Sequence, residues 1–338
     1  HNVLMTRSIT PLRDLFSLWR MYRLFKKVKP SIVHSHTPKA GLIAMIAAAL
    51  SGVPVRLHTL AGLPFMESTG VKRSLLTLCE RITYSCAHRI YPNSRGLLNY
   101  VSKMKLCSPD KLKLIGNGSS NGIDTTAFDP QVVGVESCLD RQEVRKSFNI
   151  PDEVCVFGFV GRLVKDKGIK ELIEAFMLLC QKIYQDSRLL FIGPLDAEGD
   201  KFRKYIEDAI SHNPKIIYAG RQDDIRPYLA ATDIFVFPSY REGFPNAVLQ
   251  AGAMGLPCIV TDIPGSNEII IDNQNGLIVQ AKDKDQLSNA MIQLLEDQNL
   301  RRHLSNNARS MIENRYQQGP LWKELLEDYL SLSRDSYS

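Results

Sequence analysis

Short apolar runs alternate with longer segments of helical periodicity along most of the chain. In the first part this pattern predicts strands at Ser31–His36, Val53–Leu57, His88–Pro92 and Lys113–Ile115, with helices at Lys39–Leu50 and Lys72–Cys86. Strands that alternate with helices are typical of a parallel α/β sheet. The first part of the chain is therefore predicted to be a Rossmann-like domain.

The same alternation starts again near Pro151. It predicts six further strands, at Val154–Val160, Leu189–Ile192, Ile216–Ala219, Ile234–Pro238, Pro257–Thr261 and Gly276–Val279. Four of the predicted helices are Lys170–Ile183, Lys284–Glu296, Leu300–Arg315 and Leu321–Ser333, and residues 130–150 are a polar stretch between the two repeats of the pattern. The sequence thus predicts two doubly wound α/β domains, 1–135 and 151–318, and a last helix in 319–338 that crosses back to the first domain. Such sheets bind ligands at the carboxyl ends of their strands, so a cleft between the domains is the expected site.

Composition is that of a globular protein: 338 residues, 44% hydrophobic and 23% charged, with no apolar run of 18 residues. The seven cysteines are scattered and form no C-x-x-C pair. This spacing argues against a disulfide framework and a zinc site, and it favours reduced thiols in a cytoplasm.

Charge is unevenly distributed. Residues 1–110 contain 16 Lys and Arg but only 4 acidic residues, whereas the rest of the chain is net acidic. The segment Arg13–Lys29 combines basic residues with an apolar stripe, Leu15, Leu18, Trp19, Tyr22 and Phe25. Such a helix either packs its stripe on its own domain or lies on an anionic membrane surface. No nucleic-acid motif accompanies the charge, so nucleic acid is not expected as a partner.

A glycine-bounded loop, Gly161–Gly168, follows one buried strand and precedes a helix. Its glycines permit tight turns, and the next helix start offers backbone amides to an anion, next to the cations Arg162 and Lys167. Neither a dinucleotide fingerprint nor a Walker loop is present. Solvated charges on an ordinary βα turn are the alternative interpretation.

A second such stretch, Pro238–Gly255, places Glu242 in a Gly/Pro loop and starts a helix near Asn246. Gln250 follows eight residues after Glu242, in the early part of that helix. A carboxylate beside an amide-rich helix end suits a ligand that carries both hydroxyls and phosphates. Alternatively, Glu242 is only a capping acid.

Taken together, the two stretches resemble those of glycosyltransferase family 4, whose enzymes have the two-domain GT-B fold. The shared motifs are G-R-L-x3-K-G, P-S-x2-E-G-F-P-N-A-V-L-Q-A, and shorter ones at Ser31–His36, Leu57–Gly62, Asn121–Asp124 and Asn275–Val279. The nearest resemblance is to bacterial enzymes that build capsular and other surface polysaccharides on lipid carriers.

The resemblance implies retaining transfer of a hexose from a nucleotide-diphosphate sugar, with UDP expected, to a lipid-linked or glycan acceptor. Arg162 and Lys167, with Gly161, would hold the donor diphosphate, and Glu242 would contact the donor hexose. The backbone amides of Phe244, Asn246 and Ala247 would lie nearby. His58 matches the histidine of the family's N-terminal domain next to the donor sugar, although a hydrogen-bonded strand-end histidine is the alternative.

No cofactor or metal is expected. The D-x-D sequence Asp283–Asp285 is interpreted as a helix N-cap rather than a metal motif. His34 and His36 form a period-two pair that is either structural or on the acceptor side, and no third metal ligand is evident.

Two departures from the family pattern bear on activity. Gln250 stands where the family has a second glutamate on the ribose hydroxyls, and an amide lacks the charge of a carboxylate. Residues 1–30 show no opening strand and Gly-rich loop, so the N-terminal domain is expected to be truncated or incomplete. The alternatives are a module that binds nucleotide-sugar without turnover, a nucleotide-sugar epimerase and, last, a dehydrogenase.

Overall fold

The computed structural model describes residues 10–132, 140–196 and 200–335, together with residues 1, 3 and 5. The chain divides into two compact units. Unit 1 comprises His1–Asn121 and Gly319–Ser338, and unit 2 comprises Gly122–Gln318. Each is built on its own parallel sheet.

Helices and strands alternate in both units. Unit 1 begins with α1 (Pro11–Val28), β1 (Ile32–Ser35), α2 (Pro38–Ser51), β2 (Val55–Leu60), α3 (Gly70–Cys86), β3 (Arg89–Pro92) and α4 (Arg95–Lys103). Unit 2 contains α5 (Arg141–Ser147), β4 (Cys155–Val160), α6 (Ile169–Lys182), β5 (Ser187–Ile192), α7 (Asp200–His212), β6 (Ile216–Gly220), α8 (Arg226–Ala230), β7 (Ile234–Phe237), α9 (Asn246–Ala253), β8 (Cys258–Thr261), α10 (Ser266–Ile269), β9 (Gly276–Val279), α11 (Lys284–Glu296) and α12 (Gln298–Tyr316). The last helix, α13 (Gln318–Asp335), falls almost entirely within unit 1.

The sheet of unit 1 has the order β1-β2-β3, and all its strand pairs are parallel. The prediction of a strand at Lys113–Ile115 is wrong. Only a single bridge forms there, between Leu112 and Ile90. The chain then leaves the sheet, because Ile115 packs in a hydrophobic cluster with Leu321 of α13 instead of continuing a ladder.

The two faces of this small sheet pack against different helices. On β2, Val55 and Leu57 cluster with Leu321 of α13. Leu60 clusters instead with Met45 of α2 and Tyr84 of α3. Because side chains alternate along a strand, α13 lies on one face of the sheet and α2 and α3 lie on the other.

The sheet of unit 2 has six parallel strands in the order β6-β5-β4-β7-β8-β9. The strands are largely buried apolar runs, as expected for a parallel sheet covered by helices on both faces. The order reverses between β4 and β7, so the loops that follow these two strands meet at the switch point of the sheet. The α/β fold class with parallel sheets is confirmed.

The polar stretch predicted at 130–150 contains a helix of unit 2. Residues 133–139, which include Cys138, lie outside the described residues. Helix α5 follows at once, started by a capping box between Asp140 and Glu143. Arg145 of this helix is buried and bonds Asp233 at 2.6 Å, which fixes α5 to the sheet.

Helix α1 divides its predicted apolar stripe between two environments. Leu18, Tyr22 and Phe25 are half-buried, whereas Leu15 and Trp19 are exposed. We predicted that residues 1–30 lack an opening strand. Part of this prediction concerns residues 2, 4 and 6–9, which lie outside the described residues. Nowhere in the described part of the chain is a helix both long and apolar enough to span a bilayer.

Candidate functional site

The loop after β4 is held in place by close backbone contacts with the end of β5 and with the loop after β7. Gly161 directly follows β4, and its N–H donates to the carbonyl of Ile192, the last residue of β5, at 2.9 Å. From the loop after β7, the N–H of Tyr240 donates to the carbonyl of Asp166 at 2.9 Å. Gly168 ends the loop at a φ of 68°, and a Cβ added there would lie 2.1 Å from the carbonyl oxygen of Pro238. A side chain at position 168 would therefore push the two loops apart.

The first prediction concerns this contact. Gly168→Ala is expected to lower the free energy of unfolding by at least about 2 kcal/mol, because it adds left-handed strain to a backbone clash. Chemical denaturation measures the change. Gly319→Ala is the control, since its added Cβ meets nothing within 4 Å. Equal stabilities for the two variants would contradict the prediction.

A lysine and a glutamate, one from each loop, form an ion pair at this point. The ammonium of Lys167 contacts Oε1 of Glu242, and the two side chains are only 19% and 14% exposed. Ser239 donates to the same carboxylate oxygen at 2.9 Å. The predicted phosphate ligand and the predicted hexose ligand are thus direct neighbours, and their charges compensate each other.

Arg162 lies on the more open side of the loop. Its guanidinium contacts Asp196 at 3.1 Å, and both side chains are about half exposed. An exposed pair of this kind contributes little to stability. Arg162 can therefore exchange Asp196 for a stronger anion at small cost.

Helix α9 begins directly after the Glu242 loop. Pro245 occupies the N-cap position, and its side chain makes no capping hydrogen bond. The ring of Phe244 is buried against Tyr316, with centroids 5.3 Å apart, so only its backbone can face a ligand. Asn246 is exposed and Ala247 half-buried, and the positive end of the helix dipole lies here.

Gln250 lines an open cavity of about 480 Å³ within unit 2. The cavity wall also includes Phe128, Asp224 and Arg226, and the last two form an ion pair at 2.8 Å. One turn beyond the start of α9, the amide of Gln250 thus faces a space large enough for part of a nucleotide.

In unit 1, His58 is almost completely buried, with 1% of the residue exposed. Its Nδ1 lies 2.8 Å from Oγ of Ser35, and a Cβ added at Gly41 would lie 2.6 Å from its ring. Burial, with a smaller contribution from the charge of His36, lowers the pKa of His58 to about 4. His58 lies inside β2 and not at the end of a strand as predicted, because the strand continues to Leu60. Its surroundings match the alternative of a hydrogen-bonded structural histidine, and the catalytic role of His58 stays a prediction.

His34 and His36 line a small cavity of about 20 Å³ in unit 1, room for about one water. His34 contacts the hydroxyl of Tyr329 on α13 and lies 2.7 Å from Oγ1 of Thr59. The rings of the two histidines are 4.2 Å apart, and His36 is exposed. His34 therefore connects α13 to the sheet, and an acceptor-side role stays a prediction for the pair.

The D-x-D sequence forms the predicted helix N-cap. The carboxylate of Asp283 accepts from the backbone N–H groups of Asp285 and Gln286 at 3.1 and 2.9 Å. Within the described ranges, no group of three or more His, Cys, Asp or Glu side chains could hold a metal ion. The six cysteines in those ranges are free thiols.

The sequence analysis missed three residues that shape the site: Ser239, Asp196 and Arg226. Ser239 holds Glu242, Asp196 pairs with Arg162, and Arg226 lines the cavity of Gln250. Each lies shortly after a strand of unit 2, where a parallel sheet places its ligand site. That position is the signal that could have identified them.

Two family descriptions match the chain. "Glycosyl transferases group 1" covers residues 140–311, and "Glycosyl transferase 4-like domain" covers residues 1–118. The first contains the whole Lys167–Glu242 site, and the second contains His34, His36 and His58.

Curated relatives match over most of their length. The capsular polysaccharide biosynthesis glycosyltransferase CapM of Staphylococcus aureus is 33% identical over 99% of this chain and 86% of its own. An Escherichia coli UDP-Gal:alpha-D-GlcNAc-diphosphoundecaprenol alpha-1,3-galactosyltransferase is 32% identical over 91% of this chain and 77% of its own.

Solved structures share the fold at low sequence identity. Anabaena HepE in complex with UDP-glucose has a TM-score of 0.79 at 19% identity, covering 95% of this chain and 84% of its own. Sucrose-phosphate synthase from Thermosynechococcus elongatus has a TM-score of 0.78 at 20% identity, covering 98% and 81%. The chain therefore belongs to the group 1 glycosyl transferases and is a glycosyltransferase with the GT-B fold.

Proposed function

We propose that this protein transfers a hexose from a UDP-sugar to a lipid-linked acceptor at the cytoplasmic face of the membrane, in the synthesis of a surface polysaccharide, with retention of anomeric configuration. Support comes from the two relatives above and from a Campylobacter jejuni alpha-1,3-N-acetylgalactosaminyltransferase whose name specifies a diphospho-undecaprenol substrate (27% identical over 89% of this chain). Anabaena HepE, which shares the fold, holds UDP in one solved structure and UDP-glucose in another.

The ion pair between Lys167 and Glu242 is the observation that carries the proposal. A donor sugar nucleotide brings a diphosphate for the cation and hexose hydroxyls for the carboxylate, so it can satisfy both groups at once. Arg162 adds a second cation, which is free to leave Asp196. The start of α9 adds a partial positive charge and backbone donors.

In the proposed reaction the bond between the anomeric carbon and the β-phosphate oxygen breaks as the sugar gains oxocarbenium character. The acceptor oxygen forms the new bond on the same face, and the departing phosphate oxygen takes the acceptor's proton. UDP leaves. Lys167, Arg162 and the start of α9 would stabilise the negative charge that develops on the phosphate, and they would position the partners.

We further propose that Gln250 contacts the ribose hydroxyls of the donor. Gln250→Glu is expected to tighten UDP binding about fivefold, because a carboxylate accepts the hydroxyl hydrogen bonds with charge assistance. Isothermal titration calorimetry measures this change. Gln293→Glu, at an exposed position of α11, controls for the added negative charge. Weaker or equal binding in Gln250→Glu would place the ribose elsewhere.

Metal-independent transfer is the expectation for this site. Two cationic side chains and a helix start supply the positive charge that a divalent ion would otherwise bring to the leaving diphosphate. The transfer rate should therefore be the same with excess EDTA as with Mg²⁺ in excess over EDTA. A rate that EDTA abolishes and Mg²⁺ restores would contradict this expectation.

A transfer assay tests the proposed function. The chain is incubated with four radiolabelled donors: UDP-glucose, UDP-galactose, UDP-N-acetylglucosamine and UDP-N-acetylgalactosamine. Each donor is supplied with an undecaprenyl-diphosphate monosaccharide as the acceptor. Label in the lipid fraction is the expected result. Donor binding without transfer or hydrolysis would favour the alternative, a nucleotide-sugar-binding module. Conversion of the donor without an acceptor would instead indicate an epimerase.

A further inference from the structure

Helix α3 directs a row of apolar side chains away from its own domain. Val71, Leu75, Leu78 and Ile82 recur at helical spacing and are 86%, 49%, 54% and 37% exposed. These four residues are called the α3 stripe. Successive members lie three or four residues apart, so the stripe occupies one narrow face of the helix over about three turns.

The opposite face of α3 is the one that packs on unit 1. Glu80, Thr83 and Tyr84 are buried, and Tyr84 belongs to a hydrophobic cluster with residues of α2 and β3. The α3 stripe is therefore not needed to hold the helix in the domain. Four exposed large apolar side chains in one row are unusual for a surface that contacts only water.

The exposed charges of α3 are all basic. Lys72, Arg73 and Arg81 are exposed, whereas the helix's one acidic residue, Glu80, is buried. Burial raises the pKa of Glu80 to about 7. Near neutral pH its negative charge is therefore only partly present and offsets little of the positive charge of the three basic residues. By helical geometry Lys72 and Arg81 flank the stripe on its two sides. Long basic side chains beside an apolar stripe can extend toward lipid phosphates while the stripe enters the acyl region.

We infer that the α3 stripe and its flanking cations dock unit 1 on an anionic lipid bilayer, with α3 lying in the interface plane. An apolar face bounded by cations complements an anionic membrane in both hydrophobicity and charge. Self-association through the same face is less favourable, because two copies related by a twofold axis would bring their basic residues together.

The chain offers a closely matched control. Helix α13 has its own exposed apolar row, in which Leu326 and Leu330 are 56% and 50% exposed. This row lies on the helix that packs on the other face of the unit 1 sheet. Its exposed neighbours Lys323 and Glu327 have opposite charges, so it lacks the basic character of the α3 stripe.

Vesicle co-sedimentation without substrates tests the inference independently of the transfer reaction. The chain is expected to bind vesicles of equal parts phosphatidylglycerol and phosphatidylcholine at low salt. It should bind phosphatidylcholine alone much more weakly, and about tenfold more salt should release it from the anionic vesicles. The double variant Leu75→Ser with Leu78→Ser should bind the anionic vesicles at least about tenfold more weakly. The double variant Leu326→Ser with Leu330→Ser should bind as the parent does.

Thermal unfolding and sedimentation velocity complete the test. Both double variants should unfold at the parent's temperature, since all four leucines are exposed. Three results would overturn the inference: no binding of the parent to anionic vesicles, equal binding by the Leu75/Leu78 variant, or equal losses in both variants. A parent dimer that the Leu75/Leu78 variant abolishes would also overturn it, in favour of a second copy of the chain.

Discussion

Glu242→Gln is expected to reduce the rate of sugar transfer about 100-fold, equivalent to about 3 kcal/mol of transition-state stabilisation. Glutamine keeps the shape of the side chain but removes its charge. It therefore weakens both the contact with Lys167 and the proposed hydrogen bonds from the donor hexose. A steady-state transfer assay at saturating acceptor measures the loss.

The control for this substitution is Glu207→Gln. Glu207 pairs with Arg203 at 2.8 Å on α7, with both side chains about half exposed, so its neutralisation should leave the rate unchanged. Thermal unfolding of both variants separates a loss of catalysis from a loss of folding. If the Glu242 variant kept more than about half of the parent's rate, Glu242 would not be the residue that contacts the donor sugar.

Acidification is expected to destabilise unit 1 through its buried histidines. Burial lowers the pKa of His58 to about 4 and, with the charges of His36 and His58, that of His34 to about 3. In the unfolded chain both protonate near pH 6.5. Between pH 6.5 and 4 the two histidines therefore bind more protons in the unfolded state, so their contribution to stability is full above pH 6.5 and declines as the pH falls. Protonation of buried Glu80, whose pKa is raised to about 7, offsets part of this decline, but the two histidines together outweigh it. His58 alone accounts for a decline of about 3 kcal/mol by pH 4.

Urea denaturation at a series of pH values between 7.5 and 4.5 measures this decline. His303→Gln should keep the same pH slope, since His303 is exposed, whereas His58→Gln should flatten it. If the His58 variant fails to fold, proton NMR of the parent still provides a test. The ring resonances of His34 and His58 should remain those of neutral imidazole at pH 5. Their titration near pH 6.5 would contradict the burial described here.

The fold followed from the sequence where hydrophobic runs and sheet burial coincide. β4, β7 and β8 are almost entirely apolar runs that the pattern predicted to within two residues, because a parallel strand covered on both faces requires such a run. The errors arose where local pattern competes with tertiary packing. Ile115 packs with Leu321, about 200 residues later in the chain. No local pattern reveals this contact, and it takes the place of the strand predicted at Lys113–Ile115.

The site was predictable in its residue types but not in its pairings. Lys167 and Glu242 were both identified from their loops, yet their direct contact depends on how two separate βα loops meet. Gly168 permits that meeting through its close approach to Pro238, which no local sequence pattern indicates. Likewise, the exposed side of α3 became apparent only when the buried side of the helix was known, because helical periodicity alone does not show which side packs.

The central claim is that the loops after β4 and β7 bind the diphosphate of a UDP-sugar. Isothermal titration calorimetry with UDP, GDP and ADP tests it most directly, on the parent chain and on Lys167→Ala. Lys165→Ala serves as the control, since Lys165 is an exposed lysine in the same turn. The account predicts saturable binding of UDP in preference to GDP and ADP. Binding of UDP should be retained in the Lys165 variant and at least about tenfold weaker in the Lys167 variant. UDP binding of equal affinity in both variants, or no binding to the parent, would contradict the claim.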